Sequence, residues 1–314
     1  MALVTGGRQQ TRVGDGVLIV NKEAGWTSHD VVAKVRGLLG GIKVGHAGTL
    51  DPAATGVLPL LIGKATRVAE YLVGWDKEYR AVLRLGETTD TQDATGTVLQ
   101  RVDTAGVSAD ALNGVVARFR GPQKQMPPMY SAVKVAGRPL YKSARAGETV
   151  ERAERDIVIH ELEVTAVDGR DIALRVVCSK GTYIRTLCTD MGQALGVGGH
   201  LLSLERTRVG SLAVEQALTV EQIAAHVAIG SMESVLLTLD QVLAQLPLVT
   251  VTTEQATRVL HGAPIGLPQD LPPTLSPLRL KDEQGRLLAI GTYDGQGKGS
   301  VRIDKVLVDS ESLN

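Results

Sequence analysis

Strand-like and helix-like patterns follow one another along this chain in an order that no regularly alternating fold satisfies. Gly16–Val20 is a short apolar run of strand type. Ser28–Leu39 places Val31, Val32, Val35 and Leu38–Leu39 at helical spacing, with Ser28 as the N-cap and Gly40-Gly41 as the stop. Val57–Ile62 reads as a buried strand and Lys64–Val73 as a helix. In Lys77–Leu85 the residues Tyr79, Ala81, Leu83 and Leu85 alternate with polar neighbours, which predicts a strand. Glu87–Gly96 is a Thr- and Asp-rich turn region, and Ala109–Phe119 a helix. Ile157–Val164 and Ile172–Val177 read as strands paired around Val167-Asp-Gly-Arg; Tyr183–Leu195 is a helix, and Thr219–Ala225 begins another. A doubly wound sheet needs steady strand–helix alternation, so this series predicts an α+β fold.

The 314 residues allow one large domain or two. A boundary near Leu246-Pro247 divides residues 1–246 from a small β-rich module at 247–314. In the module, Pro247–Val251 and Leu287–Thr292 read as strands and Glu254–Leu260 as a helix, with a loop carrying Pro268, Pro272, Pro273 and Pro277. Residues 1–15 are polar and read as a leader. With six Tyr, two Trp and one Phe in the whole chain, the core has to be aliphatic, and an aromatic outside it stands out.

Several function classes lose support. No apolar run approaches the roughly 20 residues of a membrane helix, and the N-terminus carries no secretory pattern, so a cytoplasmic protein is expected. Cys178 and Cys188 form no disulfide framework or zinc pattern and read as reduced structural residues. Gly63-Lys64 and Gly297-Lys298 lack the spacing of a phosphate loop, and the six histidines do not fall at metal-ligand spacing. A Gly-x-Ser-x-Gly elbow is absent.

Charge is balanced overall, with 34 basic and 34 acidic residues, but it is unevenly placed. Ala111–Gly147 contains Arg118, Arg120, Lys124, Lys134, Arg138, Lys142 and Arg145 and no acid, with Met126-Pro-Pro-Met-Tyr130 and Tyr141 interspersed. Such a stretch suits a surface lying against phosphates; a solvated face is the plainer reading. The loop Gly45–Pro52 holds His46 five residues before Asp51, with Gly45 and Gly48 permitting close backbone approach and Pro52 biasing Asp51 away from helix. A carboxylate on such a loop can be a nucleophile or a base, or Asp-Pro can simply open a turn.

Taken whole, Gly45-His-Ala-Gly-Thr-Leu-Asp-Pro-Ala-Ala-Thr-Gly-Val-Leu-Pro59 resembles the signature of the TruB family of tRNA pseudouridine synthases. Val20-Asn-Lys-Glu-Ala-Gly-Trp-Thr-Ser28 is similar to the family's first motif, with Asn21 where an Asp or similar residue is usual before the Lys. Lys77-Glu-Tyr-Arg-Ala81 resembles the tyrosine motif, and Gly86–Gly96 the one after it. Gly121–Tyr141 resembles the Pro-Pro-x-Tyr-Ser-Ala segment. Cys178-Ser-Lys-Gly-Thr-Tyr-Ile-Arg-Thr-Leu187 and Gly199-His-Leu-Leu-Ser-Leu-Glu-Arg-Thr-Arg208 resemble the late motifs. Seven motifs in order over roughly residues 16–210 are far more specific than any one of them.

The resemblance implies a mixed, mostly antiparallel sheet with flanking helices, followed by a small PUA-like β domain at 247–314. It implies an isomerase that converts the T-loop uridine at tRNA position 55 to pseudouridine without metal or organic cofactor. Asp51 falls on the essential aspartate, Arg185 on the arginine that pairs with it, and Tyr79 on the tyrosine that stacks on the target base. Tyr183 and Leu204 fall on residues lining the base pocket, and His46 on a histidine that fills the space of the extruded base. Lys22 is expected to support the site or meet a phosphate, and Asp90 to join the arginine–aspartate network. Each of these residues alone has an ordinary structural reading. The partners implied are the tRNA T-arm, contacted through the insertion around 111–147, and the acceptor end; no membrane and no guide RNA are expected, and a monomer is the default. The alternative is a tRNA-folding factor whose isomerase activity is secondary.

Overall fold

The computed structural model describes residues 13–131, 133–135, 137–148, 150–267, 276–294 and 299–308. Most of the predicted leader, Pro268, Pro272, Pro273 and the Gly297-Lys298 pair lie outside these residues. Among the described residues, no helix is long and apolar enough to cross a membrane.

A nine-stranded sheet forms the body. Its main path runs Gly16–Lys22, Thr55–Ile62, Gly199–Val209, Lys77–Leu85, Asp171–Cys178, Arg155–Asp168 and Gly121–Gln125. Val44–His46 adds to Thr55–Ile62, and Leu212–Ala213 to Gly199–Val209. The pairings are antiparallel except one: Gly199–Val209 meets Thr55–Ile62 in parallel, through Glu205↔Thr55 and Arg206↔Gly56. The expected mixed, mostly antiparallel sheet is therefore present.

Burial follows the sequence pattern. In Lys77–Leu85 every second residue faces inward: Lys77, Tyr79, Ala81, Leu83 and Leu85. This face packs on the helices Ala109–Arg118 and Ile184–Ala194, through Leu112, Val115, Leu187 and Met191. Gly16–Lys22 and Thr55–Ile62 are buried on both faces, which is why they read as unbroken apolar runs. Their Leu18, Val20, Leu58 and Leu60 meet Val31 and Val35 of the helix Ser28–Leu38, and their Val17, Ile19, Val57 and Leu61 form a second cluster behind.

A separate five-stranded sheet lies at the C-terminal end, in the order Leu248–Thr250, Leu278–Lys281, Leu287–Asp294, Ser300–Val306, Ile265–Gly266. The helix Thr253–Leu260 packs on it. Its Ile290, with Leu307 just after the last strand, joins the cluster that holds Val17 and Val57. Asp240 binds both Arg279, at 2.8 Å, and Lys281, at 2.6 Å.

Three local readings need correction. The N-cap of the first helix is Thr27, whose hydroxyl accepts from the Asp30 N–H while the Asp30 carboxylate accepts from the Thr27 N–H. Ser28 is buried instead, and its hydroxyl serves another element. Lys64–Val73 is not one helix: Gly63–Val68 is 3₁₀ and only Ala69–Val73 is α. The turn region after Gly86 contains a short hairpin, Glu87–Thr89 with Val98–Arg101. Cys178 and Cys188 are free and buried, as expected.

Gly56 stands where the two parallel strands touch. Its φ is +98°, and a Cβ there would collide with the backbone of Arg206. Gly56→Ala should destabilise the fold by about 3 kcal/mol or more, since strain and backbone overlap add. Urea unfolding of the purified variant measures this; an unchanged midpoint would contradict the parallel contact.

Candidate active site

The parallel contact brings the segment 48–57 beside Arg206, and a cavity of about 550 Å³ opens there. Asp51, Tyr79, Tyr183, Arg185 and Leu204 all line it, together with Lys77, Arg155, Lys180 and Arg206. Five expected site residues thus share one cleft although they come from four separate stretches of sequence.

Asp51 follows a loop whose backbone is bound from several sides. The Ser28 hydroxyl accepts from the Leu50 N–H at 2.9 Å and donates to the Leu50 carbonyl at 3.1 Å. Lys22 has no exposed surface; its ammonium donates to the carbonyls of Glu23, Trp26 and Pro52 at 2.8–3.1 Å. All three of these contacts are to carbonyls inside the protein. Burial lowers the Lys22 pKa to about 8, opposed by the charge of Asp51. The Gly25 N–H also donates to the Pro52 carbonyl, at 2.9 Å. Arg206 closes the other side, with Nη2 on Gly48 O at 3.0 Å, Nη1 on Thr49 O at 3.4 Å and Nε on Val57 O at 2.8 Å.

The carboxylate itself meets Arg185. Nε of Arg185 lies 2.9 Å from Asp51 Oδ2, while Nη1 donates to the Thr91 carbonyl at 3.2 Å and Nη2 to the Tyr130 carbonyl at 2.8 Å. Three fixed contacts leave the guanidinium no freedom to turn away, and only 5% of its side-chain surface is exposed against 42% for Asp51. Burial pushes the Asp51 carboxyl above the ordinary aspartate value; Arg185 and Lys22 oppose this, and Asp93 adds to it.

Asp93, not Asp90, is the second acid beside the arginine. Its Oδ2 lies 3.9 Å from Arg185 Nε, and its Oδ1 accepts from Thr91 Oγ1, the Thr95 N–H and Thr95 Oγ1. Asp90 is exposed and accepts from the Thr97 N–H at 2.8 Å. The reversal falls at Gln92, with φ of +66°, between the two acids. A turn of this kind decides which of two nearby aspartates faces inward, and spacing alone does not reveal it.

Tyr79 is nearly buried, and burial pushes its phenol up to about 12, with Arg206 acting against the shift. Tyr183 caps the helix Ile184–Ala194 by position; its N–H donates to Gln125 Oε1 at 2.8 Å and its carbonyl accepts from Gln125 Nε2 at 3.0 Å. Leu204 packs against both the cluster of Leu83 and Leu187 and the cluster of Leu58 and Val31. His46 ends the short strand Val44–His46 and does not line the cavity. Its ring meets His29 edge-on at 5.4 Å, its Nδ1 is buried without a hydrogen-bond partner, and burial lowers its pKa.

The sequence reading passed over Arg206, Asp93 and the inward role of Ser28. Arg206 had a signal: it is a charged residue inside a recognised motif, directly before Thr207 and Arg208. No group of three or more His, Cys, Asp or Glu side chains at metal-binding geometry occurs among the described residues.

This cleft on a mixed sheet is that of a pseudouridine synthase. The chain superposes on a chain of a Cbf5-Nop10-Gar1 complex with a TM-score of 0.73 at 28% identity, covering 96% of this chain and 87% of that one. A structure of an H/ACA RNP bound to a substrate RNA containing 2′-deoxyuridine gives 0.71 at 26%, covering 95% and 86%. Residues 36–184 match the N-terminal domain of the TruB family pseudouridylate synthases, and residues 185–247 match the tRNA pseudouridylate synthase B C-terminal domain. The tRNA pseudouridine synthase B of Ectopseudomonas mendocina is 44% identical over 90% of this chain and 93% of its own length. That of Thermobifida fusca is 47% identical over 80% of this chain and 86% of its own. The chain belongs to the TruB family of tRNA pseudouridine synthases.

Lys22→Met should lower stability by about 1–3 kcal/mol, the cost of leaving buried carbonyls without a donor, partly offset by relief of a buried charge. Denaturant unfolding reads the loss. A variant as stable as the parent would show that the three carbonyls do not depend on the ammonium.

Proposed function

We propose that this tRNA pseudouridine synthase acts alone, as a cytoplasmic monomer, on the uridine at position 55 in the T-loop, with Asp51 as its essential carboxylate. The observation that carries the assignment of Asp51 is its ion pair with an immobilised Arg185 in the cleft that also holds Tyr79. The reaction breaks the N1–C1′ glycosidic bond and joins C5 of the turned uracil to C1′. N1 gains a proton and C5 loses one, so the product is an isomer of the substrate. Asp51 attacks C1′, adds to C6 of the uracil or takes the C2′ proton; each role needs an ionised, oriented carboxylate, which Arg185 maintains.

A uridine in a folded loop has to leave its stack, at a cost of a few kcal/mol, to reach the floor of this cleft. The rim supports entry of an anionic chain: Arg155 and Lys180 line the cavity and are exposed. We assign the T-arm contact to the segment around 111–147, where Arg118 and Lys124 are exposed, although Lys124 lies 3.7 Å from Asp156. Arg120 and Arg138 are exposed too, but each already has a partner on the protein, the Leu162 carbonyl and the Glu148 carboxylate. We assign His46 to the vacated stack, where a neutral imidazole offers a flat surface, and residues 247–314 to the acceptor end as an RNA-binding domain.

The test is pseudouridine mapping in an unmodified T-arm stem-loop transcript incubated with the purified protein alone. Modification is expected at the single T-loop uridine. Asp51→Ala should reduce turnover below detection while tRNA affinity stays within about threefold; residual turnover would remove Asp51 from the catalytic role. If the protein binds tRNA tightly but modifies nothing, the folding-factor or guide-dependent reading replaces this one. Arg185→Lys should cost about 10²-fold or more in single-turnover rate, since a compact ammonium cannot reproduce the planar fork that spans the carboxylate and two widely separated carbonyls.

Acid should switch the reaction off. The Asp51 pKa is raised, so the active carboxylate is present above that pKa and is lost as pH falls through it. The single-turnover rate should therefore decline on the acid side with a midpoint above the ordinary aspartate value of 3.8. A midpoint at or below that value would place the titration elsewhere.

A further inference from the structure

Lys22 and Lys77 are both buried near the cleft, and their ammonium groups are placed differently. Lys22 spends its three donors on three carbonyls and does not line the cavity. Lys77 does line it, with 7% of its surface exposed, and its ammonium donates to two carbonyls, that of Val73 at 2.7 Å and that of Trp75. An ammonium has three donors, so one is left over. Among the described residues there is neither an acceptor for that donor nor a carboxylate paired with the charge. Val73 lines the cavity as well, so its carbonyl holds the ammonium at the cavity wall.

The neighbours of this ammonium are donors too. Lys77 pairs in register with Cys178, and the residues that follow, Ser179, Lys180 and Gly181, line the cavity. The Ser179 hydroxyl accepts from the Val158 N–H at 2.9 Å and, among the described residues, donates to nothing. Lys180 and Arg155 are exposed residues of the cavity, and among the described residues neither forms an ion pair. Apart from Asp51, the acid lining the cavity is Asp156, whose side chain is 91% exposed and lies 3.7 Å from Lys124. Burial lowers the Lys77 pKa to about 8; Arg206 and Lys180 act the same way, and Cys178 and Asp76 oppose them. Uncompensated positive charge with spare N–H and O–H donors suits an anion whose oxygens only accept.

Tyr79 lies two residues beyond Lys77 on the same inward face, about 7 Å along the strand. That step is comparable with the separation of a base from its own phosphates. We propose that Lys77, Ser179, Lys180 and Arg155 form a binding site for one phosphodiester group adjoining the target uridine. The assignment rests on the cleft accepting that uridine. The phosphate oxygens accept from the free Lys77 N–H and the Ser179 O–H at the wall, while Lys180 and Arg155 meet them from the exposed side.

The test uses the full chain and T-arm stem-loops that each carry one methylphosphonate, a neutral stand-in for phosphate, on the 5′ or the 3′ side of the target uridine. The sugar before the replaced linkage is 2′-deoxy, because a ribose hydroxyl there cleaves it, and a control RNA has that sugar with an ordinary phosphate. Dissociation constants are compared at fixed salt for the parent and Lys77→Met. One of the two neutral linkages should weaken binding to the parent by about tenfold. Lys77→Met should weaken binding of the matching control to a similar degree, and the two changes together should cost little more than either alone. Full additivity at both linkages, which is what a merely structural lysine would give, or no loss with Lys77→Met, would overturn the site. Should Lys77→Met not fold, Lys180→Gln carries the same cycle, with a loss of about threefold expected. Turnover on the ordinary transcript is read separately. A protein that shows the coupling but makes no pseudouridine keeps the phosphate site and loses the catalytic reading; one that makes pseudouridine without the coupling does the reverse.

Discussion

Buried cations bound to backbone carbonyls hold this active cleft together. Lys22, Arg185 and Arg206 are each at least nine-tenths buried, and most of their contacts are to main-chain oxygens rather than to acids. A carbonyl is a weaker partner for a charge than a carboxylate, so each cation keeps part of its field unneutralised. Three such groups around Asp51 and Asp93 leave the cleft net positive. Desolvation of these charges costs stability, and the aliphatic clusters on both sides of the sheet offset it. The arrangement suits a ligand that brings phosphates to the rim and needs a fixed carboxylate at the floor. Charges that are already oriented need no rearrangement when the substrate arrives, which is the physical content of electrostatic preorganisation.

The same contacts explain why the segment 48–57 can be irregular without being loose. It crosses from a turn into a strand, and its carbonyls would otherwise face an apolar interior. Ser28, Lys22 and Arg206 reach it from three different elements, and Arg185 binds the one side chain that has to be aimed. Gly56 lets the Arg206 backbone approach at the single parallel step of the sheet. The parallel step therefore has a purpose that an antiparallel pair would not serve: it runs the strand carrying Leu204 and Arg206 past the end of the Asp51 loop.

Much of this was legible in sequence, and the failures have physical causes. The strand Lys77–Leu85 was read with its bounds correct because one face is buried and the period of two is clean. The doubly buried strands at 16–22 and 55–62 are legible in their unbroken apolar stretches but come out short, since their ends Asn21, Lys22 and Thr55 are polar and Gly56 carries no side chain. Gly199–Val209 was seen as a motif and not as a strand: Ser203, Glu205, Arg206 and Arg208 break its apolar pattern where the site and the surface ion pairs need polar groups. Ser28 looked like a cap because serine before an apolar period usually is one, yet Thr27 one residue earlier makes the capping box and frees Ser28 for Leu50. Asp51 and Arg185 were found through motif order, and their separation of 2.9 Å needs the full tertiary fold. Asp90 against Asp93 was undecidable from spacing because a left-handed residue between them sets the direction.

The C-terminal sheet extends the same logic of fixed geometry beyond the cleft. The contacts across the expected boundary at 246 and 247 are neither sparse nor polar only. Ile290 and Leu307 are buried in the cluster of Val17, Val57 and Leu61, Arg67 donates to the Val306 carbonyl at 3.0 Å, and Asp240 joins two cations of the far side. Linkers that permit independent motion have few crossing contacts and little buried apolar surface. Here the strand that carries Ile290 is packed against the strand pair whose far end forms the Asp51 loop. The surface of the C-terminal unit consequently stands at a set distance from the cleft. Under the proposal that one folded RNA meets both, a set distance would select shape before any base is read, which is the usual way proteins recognise structured RNA. An approximately neutral module can serve in this way, because a surface at the right place adds discrimination even where its net charge adds little affinity.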